Sequence, residues 1–170
     1  WLAVSTDGFA EQNAARPAEH LVKELVQNGL DALPQADGEI QVTCEANDSP
    51  AGGTWVFCTD NGCGIDDMDH LRTIFWTSKQ DSHLKRGRMG RGFKEMLCLC
   101  SHCEVTSKNQ TAVFHKSNSG KRFFTVEPAE ETTLGTTISM LMPWNHEETI
   151  SKIENYFETF LPPEKVKFVV

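Results

Sequence analysis

The 170-residue chain contains no apolar run long enough to span a bilayer and nothing resembling a signal peptide, so neither a membrane anchor nor a secretory leader is expected. It has no internal repeat and no low-complexity segment. It lacks an excess of base: 16 Lys and Arg stand against 24 Asp and Glu, a net charge of −8, which argues against wrapping a nucleic acid on its own surface. It lacks paired C-x-x-C knuckles of the structural-zinc kind. Cys98, Cys100 and Cys103 gather near His102 without that pairing, in an apolar stretch that reads as core. Six thiols expected to stay reduced fit a cytosolic or nuclear compartment. The P-loop is missing as well, because Phe93 separates Lys94 from Gly92 and Glu95 follows it. No strand runs directly into Gly87 and no parallel βαβ pattern surrounds it, which sets aside a Rossmann site.

What remains is the size and composition of one globular domain, 39% hydrophobic and 24% charged. The chain opens at Trp1 and reads as an excised piece of a longer protein. Leu21, Val22, Leu25, Val26 and Leu30 recur at helical spacing, predicting a helix from Ala14 to about Leu33 with Pro17 in its first turn and Pro34 as its stop. Ile40–Glu45 alternates like a strand. Trp55–Thr59 is a second strand, and the turn-rich 47–53 link makes the two a hairpin. A short helix is expected from Asp66 to about Trp76, a polar loop over 77–92 and a buried helix from Phe93 to about Ser101. Four short strands follow, at Glu104–Ser107, Thr111–His115, Arg122–Glu127 and Thr136–Met142, with a turn at Asn118-Ser119-Gly120. A helix over Glu147 to about Phe160 ends at Pro162-Pro163, and Val166–Val170 starts a strand. The pattern is α+β: helices layered on a mostly antiparallel sheet.

Three stretches carry chemistry. Glu24 and Asn28 lie four apart and share a helix face, with Asp31 about one turn further on. An Asn amide oxygen suits Mg²⁺, which keeps waters and binds phosphate oxygens, and a neighbouring Glu can deprotonate a water. Taken alone, the helix favours a plain exposed face. Asp60-Asn61-Gly62-Cys63-Gly64-Ile65 puts a carboxylate at a strand end before a glycine turn. There the carboxylate can accept from an exocyclic amine, and Gly62 and Gly64 let backbone approach a flat ring; an ordinary post-strand turn has the same letters. Gly87-Arg88-Met89-Gly90-Arg91-Gly92-Phe93-Lys94-Glu95 places glycines before a helix start, where N–H groups bind anions. Lys79, Lys85, Arg86, Arg88, Arg91 and Lys94 make the same region a basic patch. It is either a solvated loop or a flap over a polyphosphate, and its overlap with the glycines favours the flap.

These strings, in this order and followed by Leu134-Gly135-Thr136-Thr137, resemble the four motifs of the GHKL ATPase superfamily, which holds gyrase, the ninety-kilodalton heat-shock chaperones, histidine kinases and MutL. The resemblance covers nearly the whole chain. It implies the Bergerat fold, a two-layer α/β sandwich with a mixed, mostly antiparallel sheet covered by helices on one face. It implies ATP and Mg²⁺ as ligands, with Asn28 on the metal and Glu24 as general base. Asp60 would take the adenine amine, assisted through water by Thr136. Gly62, Gly64 and Ile65 would flank the base, and Asp31 would belong to the same nucleotide site. Gly87, Arg88, Met89, Gly90, Arg91, Gly92 and Phe93 would form the phosphate lid, and Lys79 would approach the phosphates.

Within the superfamily the chain looks nearest the branch of MutL, MORC, the ATPase chain of topoisomerase VI and the heat-shock chaperones. Glu24 disfavours the histidine kinases, and the Gly-Phe-Arg-Gly-Glu-Ala-Leu lid typical of MutL is absent. The expected activity is Mg-dependent ATP binding and slow hydrolysis. Lid closure would drive dimerisation or a clamp-like change in a larger DNA-processing or chromatin-type protein, DNA repair included, with any DNA met through other domains. A chaperone-like, ATP-switched scaffold is the alternative, and a histidine kinase ranks last. Residues 1–161 are read as the nucleotide domain, and 162–170 as the start of a following, transducer-like domain.

Overall fold

Residues 5–34, 37–73, 91–164 and 166–170 are described by a computed structural model. The apolar stripe of the long N-terminal helix sets the layering. In α2 (Ala18–Ala32), Leu21, Val22, Leu25 and Val26 are fully buried while the opposite face carries charge. Burying side chains of this size is worth roughly 1.5–3 kcal/mol each, enough to pin the helix to whatever presents a matching apolar face. The strands β1 (Gly38–Ala46) and β2 (Thr54–Asp60) present it: Ile40, Val42, Val56 and Cys58 point to the helix side, and the intervening residues point away.

Two long strands complete the sheet with a short fifth one. β3 (His102–Lys116) and β4 (Arg122–Met142) pair antiparallel, β4 also pairs antiparallel with β2, and β5 (Val166–Val169) pairs parallel with β1. The order is β3-β4-β2-β1-β5, a mixed and mostly antiparallel sheet. Helices α1 (Thr6–Asn13), α2, α3 (Gly92–Leu99) and α4 (His146–Glu158) pack together and on the sheet. Met96, Cys103, Val105, Met140, Met142, Ile153 and Phe157 join α2 in one core on the helix side. On the other side of the sheet, the half-buried Trp55 and Phe57 stack with ring centroids 6.1 Å apart. This is the α+β two-layer sandwich that the residue pattern implies.

Several expectations need correction. The helix foreseen from Ala14 begins later, at Ala18, with Pro17 just before it rather than inside its first turn, and an unforeseen helix, α1, precedes it and ends at Asn13. The four short strands of the C-terminal half merge into two long ones, with a register irregularity between Ser107 and Gln110 where Lys108 takes a left-handed φ of 56°. The helix expected from Asp66 shows a 3₁₀ turn over Met68–Arg72; its later part lies outside the described residues. Val166–Val169 adds an edge strand to this sheet, where Lys167 Nζ reaches Glu39 Oε1 at 2.7 Å. Among the described residues, no helix is long and apolar enough to cross a membrane.

Candidate functional site

Asp60 is the last residue of β2, and it is buried at 7% exposure. The sheet register sets it opposite Thr136 of β4, also buried. Gly62 N–H donates to Asp60 Oδ1 at 2.8 Å as the chain curls under the carboxylate. A side chain at 62 would press on the Ala32 carbonyl oxygen at 2.6 Å, so only glycine lets this turn lie against the end of α2. Burial pushes the Asp60 carboxyl up to about 6, the N–H groups of Gly62 and Thr136 opposing the rise. Burial, with Asp60's charge second, pushes the neighbouring Cys58 thiol up to about 12.

The loop after Asp60 is tied down on several sides. Cys63 N–H donates to the Ala32 carbonyl at 2.9 Å, and Asn61 accepts from Glu39 N–H at 2.8 Å. Ser107, fully buried in β3, accepts from Ile65 N–H at 2.9 Å and donates to the Gly135 carbonyl at 2.6 Å; its Oγ is 3.5 Å from Thr136 Oγ1. Lys108 next to it pairs with Asp66, and the ammonium holds that exposed carboxyl below its usual range. Gly135 carries φ 79° and lies so close to Asp60 that a Cβ would run into the Asp60 carbonyl oxygen. Gly64, with φ 71°, fits over Ser107 in the same way, its Cβ position 2.8 Å from Ser107 Oγ.

The second half of the site lies along α2. Gly29 brings that helix close to the strand, its Cβ position 3.5 Å from Asp60 Cβ and 3.1 Å from Ile40 Cδ1. Asn28 and Asp31 are half-buried on the helix. Glu24 is 23% exposed and faces cations: Lys23 Nζ at 3.4 Å and Arg16 Nη2 at 3.9 Å. The first residue of α3, Gly92, abuts it, and an added Cβ would sit 2.9 Å from Glu24 Cδ. One buried carboxylate at the end of a strand, hard oxygen donors on a facing helix, and a helix start near them make a cleft suited to a polar ligand with a basic ring at one end and anionic groups at the other.

The family model described as Histidine kinase-, DNA gyrase B-, and HSP90-like ATPase matches residues 13–145. The chain belongs to that family. The match begins in the last residue of α1 and runs through β4, so it contains every element of the cleft. No curated protein matches the chain. Membership of this ATPase family makes the domain a nucleotide-binding one and agrees with the sandwich described above.

Measured against the sequence reading, the structure brings Asp60, Gly62, Gly64, Ile65 and Thr136 into one cluster, and Glu24 and Gly92 into another, with α2 joining the two. Phe93 is buried in the core against Phe114, at 6.5 Å between ring centroids, so its side chain faces protein. Arg91 turns inward too, pairing with Glu95 at 3.1 Å and lying over the Phe9 ring at 5.6 Å. Lys79, Gly87, Arg88, Met89 and Gly90 lie outside the described residues. Sequence reasoning missed Ser107, Gly29, Arg16 and Glu95. A glycine inside an otherwise amphipathic helix was a readable sign of close packing at Gly29. Ser107 is one serine in a polar strand and carried no such sign.

Proposed function

We propose that this domain binds ATP with Mg²⁺ and hydrolyses it slowly, using Asp60 to read the base and Glu24 to activate water. The observation that carries the reading is Asp60 itself: a carboxylate buried at the end of β2, under a glycine turn and opposite Thr136. A buried carboxylate is expensive unless something donates to it, and an adenine amine is such a donor. Gly62, Gly64 and Ile65 line the turn under the ring, and Thr136 holds a water between the base and the strand. Ser107 keeps that turn in place through Ile65 and Gly135.

Asn28 and Asp31, half-buried oxygen donors on α2, fit a hard divalent cation. Asn28 would hold Mg²⁺, and Asp31 would orient waters beside it. Bound Mg²⁺ supplies positive charge next to phosphate oxygens. Glu24, one turn before Asn28 and flanked by Arg16 and Lys23, takes a proton from the attacking water. Gly92 and the N–H groups at the start of α3 face the phosphate end, with Arg91 and Phe93 anchoring the helix behind them. Lys79 and Gly87, Arg88, Met89 and Gly90 complete the phosphate-side segment in this reading.

The switch consequence follows the same reading. Closure of that segment over ATP favours an ATP-dependent homodimer of the full-length protein, with residues 162–170 leading on from the 1–161 nucleotide domain and DNA engaged through other domains. The glutamate at position 24 favours hydrolysis over transfer to a protein histidine. Phosphate release from Mg-ATP by the wild type, set against Glu24→Ala, tests the reading. The variant should bind a non-hydrolysable analogue normally and release no phosphate; retained hydrolysis would overturn the base assignment.

A further inference from the structure

Arg16 stands in the turn between α1 and α2, where its N–H donates to the Asn13 carbonyl at 3.0 Å. Its two terminal nitrogens face different carboxylates. Nη1 pairs with Glu95 in the first turn of α3, and Nη2 lies 3.9 Å from Glu24. Glu95 is buried, 7% exposed at its side chain, and Arg91 pairs with its other oxygen at 3.1 Å. A carboxylate so buried is costly unless cations hold it, and an apolar pair would join the two helices as well. What an apolar pair would not do is put a guanidinium beside Glu24 while anchoring it to the helix that Gly92 begins.

We propose that Arg16 is a positioning residue for the turnover proposed above, yoking Glu24 to Glu95 so that the α2 carboxylate and the start of α3 hold one spacing. The proposal rests on the reading of Glu24 as the base. A planar guanidinium fork can serve two acceptors at fixed separation, and a single ammonium on a flexible stem cannot. Lys23, the other cation beside Glu24, is its chain neighbour and has no part in joining it to α3. Arg16 therefore contributes through the placement of Glu24 and leaves recognition of the base, at the far end of α2, untouched.

The test uses the full chain. Affinity for a non-hydrolysable ATP analogue is measured by calorimetry, steady-state phosphate release gives kcat and KM, and a thermal melt reports folding. Arg16→Gln should lower kcat by roughly tenfold or more with analogue affinity within about twofold, since small misplacements of a reacting group carry costs of that order. Arg16→Lys should melt with the wild type, because a cation still meets Glu95, yet recover only part of kcat; this variant carries the test if Arg16→Gln does not fold. Glu95→Gln should lower kcat in the same pattern. Wild-type kcat in Arg16→Lys and Arg16→Gln would overturn the proposal. So would kcat, affinity and melting temperature falling together, the mark of a purely structural residue. A wild type without turnover, or Glu24→Gln turning over normally, would remove the base reading first, and that result is visible before any Arg16 variant is made.

Discussion

Gly92 lies against the carboxylate of Glu24 so closely that a methyl group on its α-carbon would sit 2.8 Å from Glu24 Cβ and 2.9 Å from Cδ. The residue that starts α3 and the acid on α2 thus share a surface with no room for a side chain. Gly92→Ala must displace one of them. It should cost about 1–3 kcal/mol of stability, as overpacking does, and lower phosphate release far more than analogue affinity. Urea denaturation and steady-state kinetics read the two effects separately.

Asp60 gives a pH signature with a definite sign. Its folded-state carboxyl is raised to about 6 by burial from an ordinary value of 3.8, so the folded protein favours the protonated form. The stability this lends is present below the ordinary value and is lost as pH rises toward about 6, on the order of 2–3 kcal/mol at most. Asp60→Asn should therefore melt higher than wild type at pH 7 and lose that advantage toward pH 4. Calorimetry should show the same variant losing the nucleotide. In the wild type, affinity should climb as pH passes through about 6, because on the proposed reading the ionised carboxylate meets the amine of the base. Unchanged affinity in Asp60→Asn would count against base recognition by this residue.

Ser107→Ala should leave two backbone groups without their partner, the half-buried Ile65 N–H and the buried Gly135 carbonyl. The expected loss is about 2–4 kcal/mol. Hydrogen exchange at Ile65 should accelerate, and nucleotide affinity should fall with it, since this serine holds the turn proposed to lie under the base.

Gly135→Ala combines a positive φ with a collision against the Asp60 carbonyl oxygen. A loss above about 4 kcal/mol is expected for such a double offence. Soluble expression and circular dichroism would report it. By contrast Gly120→Ala, in an open turn with φ 81°, faces strain alone and should fold.

Cys63 is the exposed thiol of six, set in the turn after Asp60, whereas burial pushes the Cys58 and Cys100 thiols up to about 12. Brief alkylation of the native protein followed by mass mapping should mark Cys63 first. A bound nucleotide should slow the reaction there and leave the buried thiols unaffected; equal labelling with and without nucleotide would argue against a ligand over that turn.

The parts of this fold that the amino-acid pattern discloses are those built from near neighbours in sequence. The α2 stripe, the β1–β2 hairpin, the Asn118-Ser119-Gly120 turn and the carboxylate-glycine string each rest on local spacing, and each is found in place. What escaped depends on distant partners. Helix α1 has Phe9 as its one large buried side chain and is held by Arg122, which reaches Asp7 at 3.0 Å from far along the chain. The strands β3 and β4 run on through polar, Pro- and Gly-bearing stretches because each supplies the other's hydrogen bonds. Arg16 and Glu95 look like surface charges until the helices that carry them meet.

The strand order carries a consequence for biosynthesis. β2, whose last residue is Asp60, lies between β1 and β4, and β4 is not complete until Met142 has been made. While the ribosome is still short of that point, one edge of β2 has bare amide and carbonyl groups and Asp60 has no Thr136 across from it. Such an edge invites sticking to other nascent chains. Fragments ending before residue 136 should aggregate, whereas translation through Met142 closes the edge and, in the same step, finishes the floor of the cleft.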